Sequence, residues 1–244
     1  MNEEIFRART ALFKEMQLPV SKADMRVLKA RHRLKVAMWE LSLGGLFIIK
    51  RIMDVLGVMA GLLLLSPLLI LVALAIMIED GRPFLYSQSR VGLNGRIFPF
   101  YKFRSMYRDA DQRRQELMDS NESQDGVIFK VRQDPRVTKV GRIIRRFSID
   151  ELPQLFNVLR GDLALVGPRP PLPDEVAQYS LEERKRLHVK PGLTCFWQIQ
   201  GRSEIPFKDQ VRLDLQYIHS QSIATDVWII LKTIPAVLSG KGAY

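Results

Sequence analysis

From Val55 to Ile78 the chain reads "VLGVMAGLLLLSPLLILVALAIMI", without a charged residue. Wound as a helix at ~1.5 Å per residue it is about 36 Å long, enough to cross the hydrocarbon core of a bilayer. A chain carrying such a segment belongs at a membrane, and a single-pass anchor is the simplest form it can take. Two features count against a straight crossing. Ser66-Pro67 falls at the midpoint, where proline removes a backbone donor and crowds the preceding turn, so the helix is expected to break there. The flanks are also balanced, with Lys35, Lys50 and Arg51 before the run and Arg82, Arg90 and Arg96 after it. A tied positive-inside bias gives no reason to place the two ends on opposite sides. The expectation is a re-entrant helix that dips into one leaflet and returns, keeping both ends cytoplasmic.

The charge balance narrows the partners. Lys and Arg number 37 against 26 Asp and Glu, a formal net charge of +11. That surplus points to anions: nucleic acid, anionic lipid or a phosphorylated substrate. A single cysteine, Cys195, excludes an internal disulfide and argues against a thiolate metal site. His32, His188 and His219 are scattered without ligand spacing and read as structural or surface residues. Residues 1–20 hold no apolar core of a cleavable signal peptide.

The organisation expected is α+β and mostly helical: an extension over 1–46, the membrane helix over 47–81 and a catalytic domain over 82–244. In the extension, Arg26, Lys29, Arg31, Arg33 and Lys35 suit three roles: lying on anionic headgroups, pairing with another copy as a homodimer, or forming a solvated leader. In "PFLYSQSRVGLNGRIFPFYKFRSM", Asn94-Gly95 marks a small β-hairpin among β-branched and aromatic residues. Gly92 and Gly95 are turn glycines, not a dinucleotide fingerprint. Residues 107–126 are polar and read as a helix followed by an exposed loop. Near the end, "TDVWIILKTIPAVLSGKGAY" has a candidate cap at Thr225. Lys232 and Pro235 interrupt the apolar run after it, which suits an interfacial amphipathic helix and not a span.

The chemistry concentrates in "RRFSIDELPQLFNVLRG", Arg145 to Gly161. Lys130, Arg132, Arg136, Lys139, Arg142, Arg145 and Arg146 lead into the adjacent carboxylates Asp150 and Glu151. Ser148-x-x-Glu151 matches a capping box. Pro153 spoils it, because with Ser148 as the cap the proline falls where a helical N–H is needed. Pro153 is better placed in the first turn of a helix that ends before Gly161. The positive helix end and the nearby arginines then favour ionised carboxylates and lower both pKa values. That setting suits a nucleophile or a metal ligand and does not suit a general acid. Attack of a carboxylate on a phosphate needs cations to offset like-charge repulsion, which arginines and Mg²⁺ supply. Arg169, gripped between Pro168 and Pro170, is a restrained guanidinium. On residues alone the chain is a membrane-surface enzyme acting on phosphates.

The ordered motifs "KRIMD", Ser66-Pro67, "YKFRSM", "SIDELPQLFNVLRGDLALVGPRP", "PGLTCFWQIQGR" and "GKGAY" carry a resemblance from about Lys50 to Tyr244. The chain resembles the monotopic phosphoglycosyl transferases, the bacterial sugar transferase family that starts exopolysaccharide and O-antigen assembly. The resemblance implies transfer of a sugar 1-phosphate from a UDP-sugar to undecaprenyl phosphate with release of UMP, at the cytoplasmic face of the bacterial inner membrane. It implies a membrane-lipid partner and no nucleic acid. It assigns Asp150 as nucleophile, with Mg²⁺ at Asp150 and Glu151, and Arg145 and Arg169 at the phosphates. Lys102 and Arg104 are further candidates, and Ser66-Pro67 is the helix break. The length of 107–146 and the "GKGAY" ending look more like the glucose or galactose 1-phosphate transferases than the di-N-acetyl-bacillosamine type. Cys195 stands where members usually have glycine, and larger members carry extra membrane helices and a soluble domain where this chain has residues 1–46. Two rival classes predict different behaviour: an anchored anionic-lipid-binding protein without turnover, and a lipid-linked pyrophosphatase whose carboxylates direct water.

Overall fold

A computed structural model describes residues 22–110, 112–113, 134–240 and 242, by backbone alone at 22–44, 46 and 203. The leader up to residue 21, most of the polar 107–126 stretch, Lys130 and Arg132 lie outside these residues. The chain divides into two compact units, Met1–Lys50 and Arg51–Tyr244. In the first, the described residues form one continuous helix; the second holds Asp150, Glu151 and, among the described residues, both two-stranded sheets.

Helix α1 (Lys22–Asp80) contains the apolar stretch, in which Phe47–Asp80 is long and apolar enough to cross a membrane, its most apolar 18 residues having a mean hydropathy of 2.8. Pro67 lies inside it and has no N–H to offer the carbonyl of Leu63 one turn back. The Ser66 hydroxyl donates to that same carbonyl at 2.9 Å. The Ser-Pro pair thus supplies its own replacement hydrogen bond, as helices at membrane depth require. One side of α1 is packed. Val58 meets Phe98, Phe100, Leu155, Val158 and Leu163, while Val72 and Ile76 meet Phe103 and Ile144. Leu56, Leu63, Leu64, Ile70, Leu71, Leu74 and Ile78 are exposed.

Strands β1 (Leu85–Val91) and β2 (Ile97–Phe103) form the expected antiparallel hairpin, in register from Leu85↔Phe103 to Val91↔Ile97. Its turn needs positive φ at Asn94 (54°) and Gly95 (83°), conformations these two residue types adopt readily. Helix α2 (Lys139–Arg146) has its first three amides satisfied by two side chains. Thr138 Oγ1 accepts from Gly141 N at 2.8 Å, and the Glu79 carboxylate of α1 accepts from Lys139 N at 2.7 Å and Val140 N at 2.9 Å. Arg104 closes the same end of α1. Its Nη2 donates to the carbonyls of Asp80 (2.9 Å) and Gly81 (2.8 Å) and lies 3.0 Å from the Asp80 carboxylate.

At the other end of the apolar stretch, Arg51 Nη1 and Nη2 donate to the carbonyls of Val158 (2.5 Å) and Leu159 (2.7 Å). These belong to the last turn of helix α3 (Gln154–Arg160), where a cation complements the negative helix end. Both ends of the apolar segment are therefore hydrogen-bonded to the same folded unit.

The remainder adds a feature that the residue pattern did not announce. Strand β3 (Ala164–Val166) pairs in parallel with β4 (Gly192–Thr194), and three short helices, α4 (Pro173–Ala177), α5 (Leu181–Arg184) and α6 (Phe196–Gln200), lie in and just after the connection. Gly192 allows the close approach, since a Cβ there would sit 2.0 Å from Gly167 N. Helices α7 (Phe207–Ser220) and α8 (Ile223–Ser239) close over a core of Val166, Cys195, Phe196, Trp197, Leu213, Tyr217 and Ile229. Cys195 has extended backbone (φ −153°, ψ 175°), so replacing glycine here demands no special conformation. The cap of α8 is Ser222 and not Thr225. Ser222 Oγ accepts from Thr225 N at 3.1 Å, while the Thr225 hydroxyl donates back to Ser220 O at 3.0 Å. Val227, Trp228, Leu231, Ile234 and Leu238 leave an exposed apolar face on α8. The whole is mostly helical with small β elements, as expected.

Candidate active site

Asp150 and Glu151 lie in a single 3₁₀ turn, Ile149–Glu151, just ahead of α3. The chain enters that turn through Ser148 at φ 51°, a left-handed conformation unusual for serine. In that geometry Ser148 makes no cap bond, so the capping box does not form; its hydroxyl accepts from Arg202 Nη2 at 3.0 Å instead. Pro153 stands immediately before α3 and Gly161 (φ 88°) closes it, the proline-in, glycine-out order anticipated. The two acids are thus held outside the helix, with side chains free for other partners.

They are treated differently by their surroundings. Glu151 Oε1 accepts from Lys102 Nζ at 2.8 Å and from Arg169 Nη2 at 2.9 Å. Burial pushes its pKa up, but the Arg169 and Lys102 charges outweigh burial and hold it well below the usual carboxylate range. Asp150 is only 6% exposed, and among the described residues no donor bonds its carboxylate. Lys102 Nζ is 3.9 Å from its Oδ2. Burial raises the Asp150 pKa, and the attraction of Lys102 does not offset it, with Glu151 adding repulsion. The sequence-based expectation of two lowered carboxylates therefore holds for Glu151 and fails for Asp150. The reason is burial without a hydrogen-bond donor.

Of the four basic residues expected at the site, three point their effect at the dyad. Lys102, on β2, and Arg169, in the Pro-Arg-Pro loop, bond Glu151 directly. Arg145, in the last turn of α2, is steadied by Nε donating to Ser105 Oγ at 2.8 Å; burial lowers its pKa while Asp150 favours its charge. Arg104 lines the same groove as the dyad, and its Nη2 also grips the end of α1 at Asp80 and Gly81. Ser66 and Pro67 lie in α1, whose neighbouring Leu64, Leu65 and Leu68 line the groove that also holds the dyad.

Two basic residues are not among the site residues expected from the sequence. Arg202 (φ 54°) reaches Ser148, feels the charges of Glu151 and Asp150, and keeps Nη1 buried with no partner among the described residues. Its presence in "QGR" is plain in the sequence, but nothing in the spacing links position 202 to 148. Arg90 donates from Nη1 to Pro170 O at 3.1 Å and lies 5.5 Å from the Phe100 ring centroid. With Val91 N donating to Pro171 O at 2.9 Å, it fastens β1 to the loop that presents Arg169.

Lys102, Arg145, Arg169 and Arg202 surround two carboxylates, an excess of positive charge matched to a bound polyanion. Among the described residues no third Asp, Glu, His or Cys joins the pair as a possible metal ligand. Two carboxylates still suit Mg²⁺, which takes one or two from protein and completes its shell with water and phosphate oxygens. The unbonded Asp150 carboxylate beside Glu151 fits that requirement.

Fold and site together define a groove holding a carboxylate pair among basic side chains, beside a long apolar helix. The chain belongs to the bacterial sugar transferase family, whose profile matches residues 46–240. It is 50% identical over 197 residues to the galactosyl transferase CpsE of Streptococcus agalactiae, covering 80% of this chain and 43% of that protein. It is 40% identical over 205 residues to the exopolysaccharide production protein ExoY of Sinorhizobium fredii, covering 83% of this chain and 90% of that one. An undecaprenyl-phosphate galactose phosphotransferase of Salmonella typhimurium is 40% identical over 199 residues, 80% of this chain and 42% of that protein. The chain thus spans less than half the length of CpsE and of the Salmonella protein, and most of ExoY.

Proposed function

We propose that this protein transfers a hexose 1-phosphate, glucose or galactose, from a UDP-sugar to undecaprenyl phosphate, releasing UMP and starting a surface polysaccharide. The observation that carries the proposal is Asp150: a buried carboxylate with no hydrogen-bond donor among the described residues, beside a glutamate already neutralised by Lys102 and Arg169. A carboxylate whose lone pairs are all committed is a poor nucleophile; this one is not committed. In the first half-reaction an Asp150 oxygen bonds the β-phosphorus, the bridging P–O bond to UMP breaks, and UMP leaves with that electron pair. In the second, a phosphate oxygen of the lipid bonds the same phosphorus and the aspartyl P–O bond breaks, restoring the carboxylate. Arg145, Arg169, Lys102 and Arg202 offset the phosphate charge as the anions approach. Mg²⁺, held by Asp150 and Glu151, would supply further charge neutralisation at the phosphates.

The binding of both ends of the apolar segment supports a re-entrant course. Arg51 holds α3 at one end, and Glu79 and Asp80 hold α2 and Arg104 at the other. A straight crossing would carry this polar network into or through the hydrocarbon, where unsatisfied or charged groups are costly. A helix that enters and leaves one face keeps the network at the headgroups, on the cytoplasmic face of the inner membrane. The exposed apolar face of α8 supports an interfacial position for that helix. Thiol labelling in intact cells of single cysteines placed at Gly45 and Arg96 tests the topology. Equal protection supports it, and opposite accessibility refutes it.

For the chemistry, the full-length protein is incubated with a UDP-hexose labelled in the β-phosphate, without lipid acceptor. Label should remain on the wild-type protein, in less than one equivalent, and chase onto undecaprenyl phosphate when the lipid is added. Asp150→Asn should hold no label and transfer none. Steady release of free sugar phosphate without lipid would favour a pyrophosphatase, and undiminished transfer by Asp150→Asn would refute the proposal.

A further inference from the structure

Asn157 is fully buried in α3, a place where an amide is costly unless every polar atom is used. Here they are used on β2. Nδ2 donates to Pro99 O at 2.7 Å, and Oδ1 accepts from Tyr101 N at 3.2 Å. The carbonyl of one strand residue and the N–H of the residue two further on face the same edge, so one side-chain amide can stand in for a neighbouring strand. Nδ2 also lies 3.3 Å from Asp162 Oδ2, and the Asn157 carbonyl accepts from Asp162 N and Leu163 N, which ties the end of α3 to its own exit.

The residue after Tyr101 is Lys102, whose ammonium bonds Glu151, and Glu151 leads back through Pro153 into α3. The connections therefore close a ring: Glu151, the first turns of α3, the Asn157 amide, the backbone of Tyr101, Lys102, and Glu151 again. A ring of this kind sets how far β2 can slide along α3. A shift of about 1 Å at the strand would take the Lys102 ammonium out of hydrogen-bond range of Glu151.

We propose that Asn157 is a positioning residue for the carboxylate pair, acting through β2 to hold Lys102 on Glu151 and within reach of Asp150. The inference rests on the transferase reading of the same site. The two partners on β2 cannot both be served by a substitute that only accepts or only packs. Aspartate accepts from Tyr101 N but cannot donate to Pro99 O when ionised, and leucine does neither.

The test is a double-mutant cycle on the full chain in detergent or nanodiscs, with active sites counted by covalent label. Asn157→Asp and Asn157→Ser should each lower kcat per active site by about 30-fold or more, with KM for the UDP-hexose changed less than about threefold. In a Lys102→Met background the same changes should cost less than about threefold, because the residue they act through is gone. If the losses multiply in the double variants, Asn157 does not act through Lys102 and the proposal falls. It falls equally if either Asn157 variant only lowers the yield of labelled sites and leaves kcat per site intact, as a purely structural amide would. Should Asn157→Asp fail to fold, Asn157→Ser keeps a small donor and acceptor and carries the cycle. A wild-type chain that transfers no sugar phosphate would instead sink the transferase reading itself.

Discussion

Arg186 and Asp214 form the most deeply buried ion pair among the described residues, and removing one partner gives a large effect with a defined pH signature. Arg186 Nη2 lies 2.6 Å from Asp214 Oδ2, with side-chain exposures of 5% and 0%. The guanidinium also sits 5.7 Å from the Tyr179 ring and 5.8 Å from the Phe207 ring, and donates to the Tyr179 hydroxyl at 3.0 Å. At an effective dielectric constant of ~20 the pair attracts by about 6 kcal/mol, but desolvation consumes much of this. Arg186→Met leaves a carboxylate buried without its counter-ion, a loss of about 3–5 kcal/mol. For a folded unit of this size that lowers the unfolding midpoint by about 10 °C. Burial already pushes the Asp214 pKa up to about 6, outweighing Arg186. Since the unfolded value is ~3.9, the folded state binds this proton more tightly. The group's stabilising contribution is complete below the unfolded value and is lost as pH rises through about 6. Without Arg186 the ionised form is costlier still, so the deficit of Arg186→Met should be largest at pH ~8 and shrink by pH ~5.5. Asp214→Asn in the same chain should recover part of it by removing the stranded charge. Thermal unfolding in detergent followed by circular dichroism reads all of this. A deficit below ~2 °C, or one that does not change with pH, would show that the pair is not buried as described.

Gly141→Ala adds a residue with about 1 kcal/mol better helix propensity, yet it should destabilise, because the new Cβ would lie 2.0 Å from the Ser105 carbonyl. Displacing Ser105 should also weaken transfer, since its hydroxyl steadies Arg145; a raised melting midpoint would show the clash is absorbed. Lys102→Met should lower transfer at least about tenfold and cost more at pH ~6 than at pH ~8. Removing the cation raises the Asp150 pKa beyond what burial has done, and the ionised nucleophile is lost as pH falls; rate profiles at fixed Mg²⁺ would contradict this if parallel. Cys195 is fully buried and burial pushes its thiol well up, so iodoacetamide at pH ~7.5 should leave the folded protein unmodified and react only after denaturation. Mass spectrometry showing rapid native alkylation would place Cys195 nearer the surface than it is here.

Much of the site is legible in the sequence because its signals are local. The Asn94-Gly95 turn, the Pro153 entry and Gly161 exit of α3, and the basic run before Asp150 each depend on a few adjacent residues. The illegible part depends on residues brought together from far apart. Lys102, on β2, and Arg104, just past its end, are two positions apart, yet Lys102 serves Glu151 while Arg104 serves the end of α1. Which neighbour each long side chain reaches is set by the elements packed around the strand end, and the motif alone does not say. Arg202 is hidden for the same reason, and the parallel pairing of β3 with β4 joins three-residue strands too short to leave a pattern.

By itself, the sequence determined that a long uncharged stretch is apolar enough to cross a membrane as a helix, and that two adjacent carboxylates follow a basic run. Both follow from composition over a short window, where hydrophobic transfer and backbone preference act without reference to the rest of the chain. Only the tertiary structure decided which carboxylate is neutralised and which is left unbonded. Lys102 and Arg169 come from separate segments and converge on Glu151, while Asp150 is buried with no donor of its own among the described residues. Charge state in a buried site depends on distances and solvent exclusion, and neither exists until the chain has folded.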